Sequence, residues 1–238
     1  MVDFVASREA VADATARFCD LLGSPPDPTL RVRGSAWTVA EVGAHVATFA
    51  DSYVGYLDGT VAPVVHVGTL NRDNVANLAA SAERAVTALA ARIREGSEAF
   101  LDATSELSFD HPMRWHDVSA TVGTVYGIYL GELLVQGRDI ARTLGRSWPI
   151  SPTDAIIIFE AITSVAQWFV VPTRASDGIF EITVRHGPSY TFRFIGGSLD
   201  VDPDRVGRPD CRIWADPRAL TLVLFGRPGN GAPFFAAD

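Results

Sequence analysis

Residues 155–185 read AIIIFEAITSVAQWFVVPTRASDGIFEITVR, and the organisation of the chain turns on a change of rhythm inside that stretch. Ala155 to Val171 is the most apolar run of the sequence, interrupted by Glu160, Thr163, Ser164 and Gln167 and closed by Pro172. A bilayer span needs ~20 predominantly apolar residues, so this run predicts a buried helix of a soluble protein. Gly178-Ile-Phe-Glu-Ile-Thr-Val-Arg185 then alternates apolar and polar residues, which is the period of a half-buried strand. A helical part therefore precedes a β-containing part, and the expected domains are 1–172 and 173–238.

Towards the C-terminus, Ser189-Tyr-Thr-Phe-Arg-Phe194 and Cys211-Arg-Ile-Trp-Ala215 alternate in the same way, and His186-Gly187-Pro188 predicts a hairpin connection. Asp216 and Pro217 predict the N-cap and first position of a short helix that ends at Gly226. Towards the N-terminus, a helix over 5–22 is stopped by Gly23 and the SPPDP turn. A second, about 38–57, opens with the capping-box pair Thr38 and Glu41. A third covers roughly 72–103, and a fourth about 118–145, after a loop around His111-Pro112. The fifth spans 153–170. The fold class is α + α/β: a four-helix bundle with an extra helix, followed by a small α/β domain.

The 238-residue chain carries a formal net charge of −8, unevenly placed. Residues 1–172 hold 12 Arg against 20 Asp plus Glu, whereas 173–238 hold 8 of each. The helical part thus carries all the excess negative charge, which argues against nucleic acid or an anionic membrane as partner. All 20 basic residues are Arg. The absence of lysine excludes Schiff-base chemistry, a covalently held pyridoxal cofactor and a Walker A loop. Cys19 and Cys211 are isolated, suit a reducing compartment and offer no disulfide framework. The first residues show no signal-peptide pattern, so a cytoplasmic location is expected.

On a helical wheel, Glu132, Gln136 and Asp139 share one narrow stripe of the fourth helix. Val125, Ile128 and Val135 flank it on one side, Tyr129 and Ile140 on the other. A carboxylate among apolar neighbours needs a cation, a hydrogen-bond donor or a proton. An ion pair with an Arg from another helix satisfies that need without any function. His45 lies at the edge of the apolar face of the second helix, near Val42, Val46, Phe49, Tyr53 and Tyr56. It reads either as a hydrogen-bonded packing residue or, with a Glu from a facing helix, as part of a metal site.

The run Trp37-Thr38-Val-Ala-Glu41-Val-Gly-Ala-His45-Val-Ala after a Pro-rich loop resembles the opening of the mycothiol-dependent maleylpyruvate isomerase family. Gly131-Glu132-Leu-Leu-Val-Gln136-Gly-Arg138-Asp139-Ile-Ala-Arg-Thr-Leu144-Gly145 resembles its second signature. Ile213-Trp-Ala-Asp216-Pro217 and Leu224-Phe-Gly226-Arg227 resemble the sterol-carrier-like domain fused behind that bundle. The resemblance implies a DinB-like bundle and a divalent metal, usually zinc, held by a His on the second helix and by Glu and His four apart on the fourth. His45 and Glu132 match the first two positions; the third is Gln136, a weaker zinc ligand than imidazole. His66, His111, His116 and His186 are the other imidazoles that could substitute.

The resemblance further implies an enzyme that uses mycothiol, a low-molecular-weight thiol, as a metal-bound thiolate that adds to a small electrophile. The outcome is isomerisation or transfer. Arg227 is the candidate carboxylate clamp, with a plain C-terminal-turn arginine as the alternative. Two other readings stand beside the enzyme: a non-catalytic thiol or small-molecule binder on a decayed metalloenzyme scaffold, and an interaction module, a homodimer through the apolar fifth helix.

Overall fold

The structure, a computed structural model, describes residues 4–23, 27–61, 67–172, 176–204, 207–227 and 235–237. The chain divides into two compact units, Met1–Ile150 and Ser151–Asp238.

The first unit contains α1 (Phe4–Gly23), α2 (Val39–Asp58), α3 (Val67–Ala80), α4 (Val86–Ala103), β1 (Pro112–Trp115), β2 (Val118–Thr121) and α5 (Val122–Thr143). Helices α1, α2, α4 and α5 form the four-helix bundle, and α3 lies against α2. Phe18, Leu22, Tyr53, Ile93, Phe100 and Tyr129 are fully buried in its core. The capping box that opens α2 is complete. Thr38 Oγ1 accepts from the Glu41 N–H at 3.3 Å, and Glu41 Oε2 accepts from the Thr38 N–H at 2.7 Å. Gly59 ends the helix in the left-handed conformation, φ 77°.

Two expectations for this unit need correction. The helix expected over 72–103 is two helices, broken between Ala80 and Val86. Side chains rather than Gly or Pro make the break: Arg84 donates to the carbonyls of Ser81 (2.6 Å) and Leu78 (2.9 Å), and Glu83 Oε1 accepts from the Arg84 and Ala85 N–H groups. The helix expected from 118 begins as a strand. β1 and β2 pair antiparallel, with Trp115 opposite Val118, around a two-residue turn at His116 and Asp117. His116 takes φ 52° there, a conformation in which a glycine is the usual occupant.

The second unit contains α6 (Pro152–Ser164), a 3-10 turn (Ala166–Phe169), β3 (Gly178–Val184), β4 (Ser189–Ile195), β5 (Ser198–Asp202), β6 (Cys211–Ala215), α7 (Pro217–Leu224) and β7 (Phe235–Ala237). The sheet order is β5-β4-β3-β6-β7, with β3 and β6 parallel and the other neighbours antiparallel. Asp216 caps α7 as expected, accepting from the Arg218 and Ala219 N–H groups. Phe159 of α6 packs in one core with Val184, Phe192, Leu199, Ala215 and Leu220. The apolar helix expected to belong to the bundle therefore belongs to the sheet, and the division falls after Ile150 rather than after Pro172. Helical periodicity reports that a face is buried, not which partner buries it. No helix among the described residues is long and apolar enough to cross a membrane.

Candidate functional site

His45 lies on the inner side of α2, 6% exposed. Its ring sits between Trp37 and Phe49, each with its ring centre 4.8 Å away. These contacts limit imidazole rotation and aim Nε2 at α5, where Glu132 Oε2 stands 3.7 Å away. One turn further along α5, the Gln136 amide donates to the same carboxylate oxygen at 3.3 Å. The stripe read from the sequence thus brings His45, Glu132 and Gln136 together. Asp139, its third member, pairs with Arg138 of its own helix at 3.4 Å.

Two turns beyond His45, Tyr53 is fully buried with its ring 4.5 Å from that of Tyr129. Its hydroxyl has no hydrogen-bond partner among the described residues. Burial above all, then the negative charge of Glu132, holds its pKa well above the ordinary tyrosine value.

A cavity of about 230 Å³ opens beside His45. Helix α2 contributes His45, Thr48, Ser52 and Tyr56, α3 contributes Asn74 and Asn77, and the β1–β2 turn contributes His116. His116 is 4% exposed despite its place on a hairpin turn, and its Nδ1 lies 3.1 Å from the Tyr56 hydroxyl. Burial pushes its pKa down to about 4, so it is neutral at pH 7, and pushes that of Tyr56 up to about 12. The sequence offers His116 only as one of four substitute imidazoles, and nothing in its pattern links Asn74 or Asn77 to His45. The link exists because α3 leaves α4 and a hairpin precedes α5, the two features periodicity missed.

The donor set decides how well a divalent ion fits. Two ligands of one tetrahedral zinc at ~2.0–2.1 Å lie about 3.3 Å apart, so His45 and Glu132 need only a small adjustment. The amide assignment at Gln136 follows from the hydrogen-bond network, and a flip would present its oxygen instead. Among the described residues no three His, Cys, Asp or Glu side chains are grouped to hold a metal. The donors fit as two strong ligands and one weak one. Of the alternative imidazoles, His116 shares the cavity without completing such a group, and His111 is half-buried ahead of β1. His186 lies on the β3–β4 turn of the second unit, and His66 lies outside the described residues.

Arg227 belongs to the second unit, just after α7. Its backbone N–H donates to the Leu222 carbonyl at 2.7 Å, and its guanidinium donates to the carbonyl of Phe225. That is the arrangement of an arginine closing a C-terminal turn.

The family model described as the mycothiol maleylpyruvate isomerase N-terminal domain matches residues 8–141, a range that includes both His45 and Glu132. Two solved structures are similar: a crystal structure of the mycothiol-dependent maleylpyruvate isomerase and one of its mutants. Each is 13% identical with a TM-score of 0.57, covering 99% of this chain and 93% of theirs. At that identity they speak for the fold. No curated protein matches the sequence significantly. With more than half of its length matched, the chain belongs to the mycothiol maleylpyruvate isomerase N-terminal domain family.

Proposed function

We propose that the chain is a mycothiol-dependent isomerase or transferase acting on a small electrophile, with His45 and Glu132 as two ligands of a divalent ion, zinc, and Gln136 as a weak third. The observation that carries this reading is the 3.7 Å approach of His45 Nε2 to Glu132 Oε2, with His45 also lining the cavity. When bound, the ion would lower the pKa of a coordinated thiol so that thiolate forms at neutral pH.

The chain's own residues have distinct parts in this scheme. Trp37 and Phe49 hold the His45 ring, and Gln136 orients the Glu132 carboxylate. The proton that the coordinated thiol loses would pass to water. In isomerisation the thiolate adds to one end of a conjugated double bond, which becomes single and rotates. Expulsion of the same thiolate restores the double bond in the other geometry, with no net redox change. In transfer the adduct is kept. Cys19 is unsuited to replace the external thiol: it is buried, with its pKa pushed up to about 11, and its Sγ contacts the Ala90 carbonyl at 3.2 Å.

The Gln136–Glu132 hydrogen bond favours a second reading, a non-catalytic thiol binder on a decayed metalloenzyme scaffold. Thermal melting with mycothiol and zinc, beside an isomerisation assay, separates the two. A ligand at 100 times its Kd stabilises by about 2.7 kcal/mol. A rise in Tm together with turnover supports the enzyme, a rise without turnover the binder, and no rise at millimolar mycothiol contradicts both.

A further inference from the structure

We infer that the second unit holds a binding site for a compact primary ammonium, in a cavity of about 300 Å³ walled by α6, the 3-10 turn, β4 and β5. All of its lining residues belong to that unit, so the inference is independent of the His45 site and of the proposed function. Helix α6 contributes Glu160 and Thr163, and β4 contributes Tyr190. Leu199 and Val201 of β5, with Ala166 of the 3-10 turn, supply apolar wall.

Two polar side chains of this cavity lack the partners that their counterparts elsewhere have. Glu160 is half-buried, and among the described residues its carboxylate has neither an ion-pair nor a hydrogen-bond partner. Asp51, by contrast, pairs with Arg92, and Asp117 with Arg114. Thr163 is only 6% exposed, and among the described residues its hydroxyl has no hydrogen-bond partner. The neighbouring Ser164 donates to the Ala161 carbonyl at 2.7 Å, and Thr48, Thr104 and Thr143 donate to carbonyls of their own preceding turns. Buried hydroxyls are nearly always bonded, so one that lines a cavity without a bond has an oxygen open to a ligand's donor. A carboxylate beside apolar wall likewise calls for a cation or for donors.

Tyr190 stands with them. Its ring meets that of Phe159 edge to face, the centres 5.7 Å apart. Burial first, then the negative charge of Glu160, raises its pKa, which sets the phenol in the field of that carboxylate. An aromatic ring also attracts a cation. Asp200, at the exposed edge, shares its charge with Arg193 at 2.6 Å, which leaves Glu160 as the undivided charge of the cavity.

An ammonium group answers this set: it has three donors and no acceptor, and Glu160, Thr163 and Tyr190 offer three oxygens. A short apolar body suits Ala166, Leu199 and Val201. The volume lies at the low end of the ~300–1,000 Å³ of small-molecule pockets, which sets the compact size.

Benzylammonium and benzyl alcohol test this, because they match in heavy atoms and differ in charge. Binding of each to the full chain is measured by calorimetry at low salt. Benzylammonium should bind at least about tenfold more tightly, since charge-assisted hydrogen bonds are roughly twice as strong as neutral ones. Glu160→Gln keeps the shape, removes the charge and should abolish that preference. Thr163→Val keeps the shape, removes an acceptor and should weaken benzylammonium binding about threefold or more. Melting without ligand shows that each variant is folded; should Glu160→Gln fail to fold, Thr163→Val and the comparison of the two probes still decide. Equal or tighter binding of benzyl alcohol, or no binding of benzylammonium at millimolar concentration, overturns the inference. So does undiminished affinity for benzylammonium in either folded variant.

Discussion

The Gln136 amide nitrogen lies 3.3 Å from Glu132 Oε2, the same oxygen that His45 Nε2 approaches to 3.7 Å from the facing helix. One carboxylate oxygen thus joins a donor from its own helix to an imidazole on another. The Gln136 amide is hydrogen-bonded to that oxygen, whereas the His45 ring stands off at ion-pair distance, the gap that the proposed divalent ion would fill.

The Tyr53 hydroxyl is fully buried and has no hydrogen-bond partner among the described residues. An unsatisfied buried hydroxyl costs ~1–3 kcal/mol, and phenylalanine keeps the ring packing against Tyr129 and Phe100. Tyr53→Phe should therefore stabilise the metal-free protein by ~1 kcal/mol in urea unfolding. A loss of more than ~1 kcal/mol would show that the hydroxyl is bonded in solution.

His116 makes stability depend on pH. Its folded pKa, about 4, lies below the ordinary 6.5, so between these values the unfolded chain binds a proton that the folded chain refuses. Stability from this group is complete above pH 6.5 and falls as the pH drops towards 4, by about 2 kcal/mol between pH 7 and pH 5. His116→Asn, which tolerates the positive φ, should flatten that slope in urea unfolding at the two pH values. An unchanged slope would assign the effect elsewhere.

A Cβ on Gly96 would come within 2.9–3.0 Å of the carbonyl carbon, oxygen and Cβ of Ala50, where α4 meets α2 backbone to side chain and backbone. Relief requires moving a helix rather than a rotamer. Overpacking costs typically ~1–3 kcal/mol and outweighs the ~1 kcal/mol gained in helix propensity. Gly96→Ala should lower stability and, because α2 carries His45, weaken metal binding as well. A stabilised variant would contradict this packing account.

The parts legible in the sequence are those with local causes. Thr38 and Glu41 mark the start of α2, Asp216 and Pro217 the start of α7, and the alternation from Gly178 marks β3. Three of the bundle helices and the Glu132 stripe follow from periodicity. What escaped depends on partners distant in sequence. β1 and β2 have four residues each and turn on His116, where a hairpin signal would be Gly or Asn. The break after α3 is made by the Arg84 and Glu83 side chains. α6 has the same apolar period as a bundle helix, and its assignment to the sheet comes from contacts such as Phe159 with Val184. The stripe of Glu132, Gln136 and Asp139 is legible from periodicity, and its meeting with His45 only through the family resemblance; the cavity beside His45 is not legible, because α3 and the hairpin build it.

Calorimetric zinc titration of the natural protein beside His45→Ala, Glu132→Ala and Gln136→His tests the central claim most directly. Imidazole is a stronger zinc ligand than an amide oxygen, and Gln136→His leaves the charge of the site unchanged. The account predicts weak binding by the natural chain, loss of binding in both alanine variants, and an affinity raised at least tenfold by Gln136→His. Tight zinc binding unaffected by Glu132→Ala, or no detectable zinc in either the natural protein or Gln136→His, would contradict it.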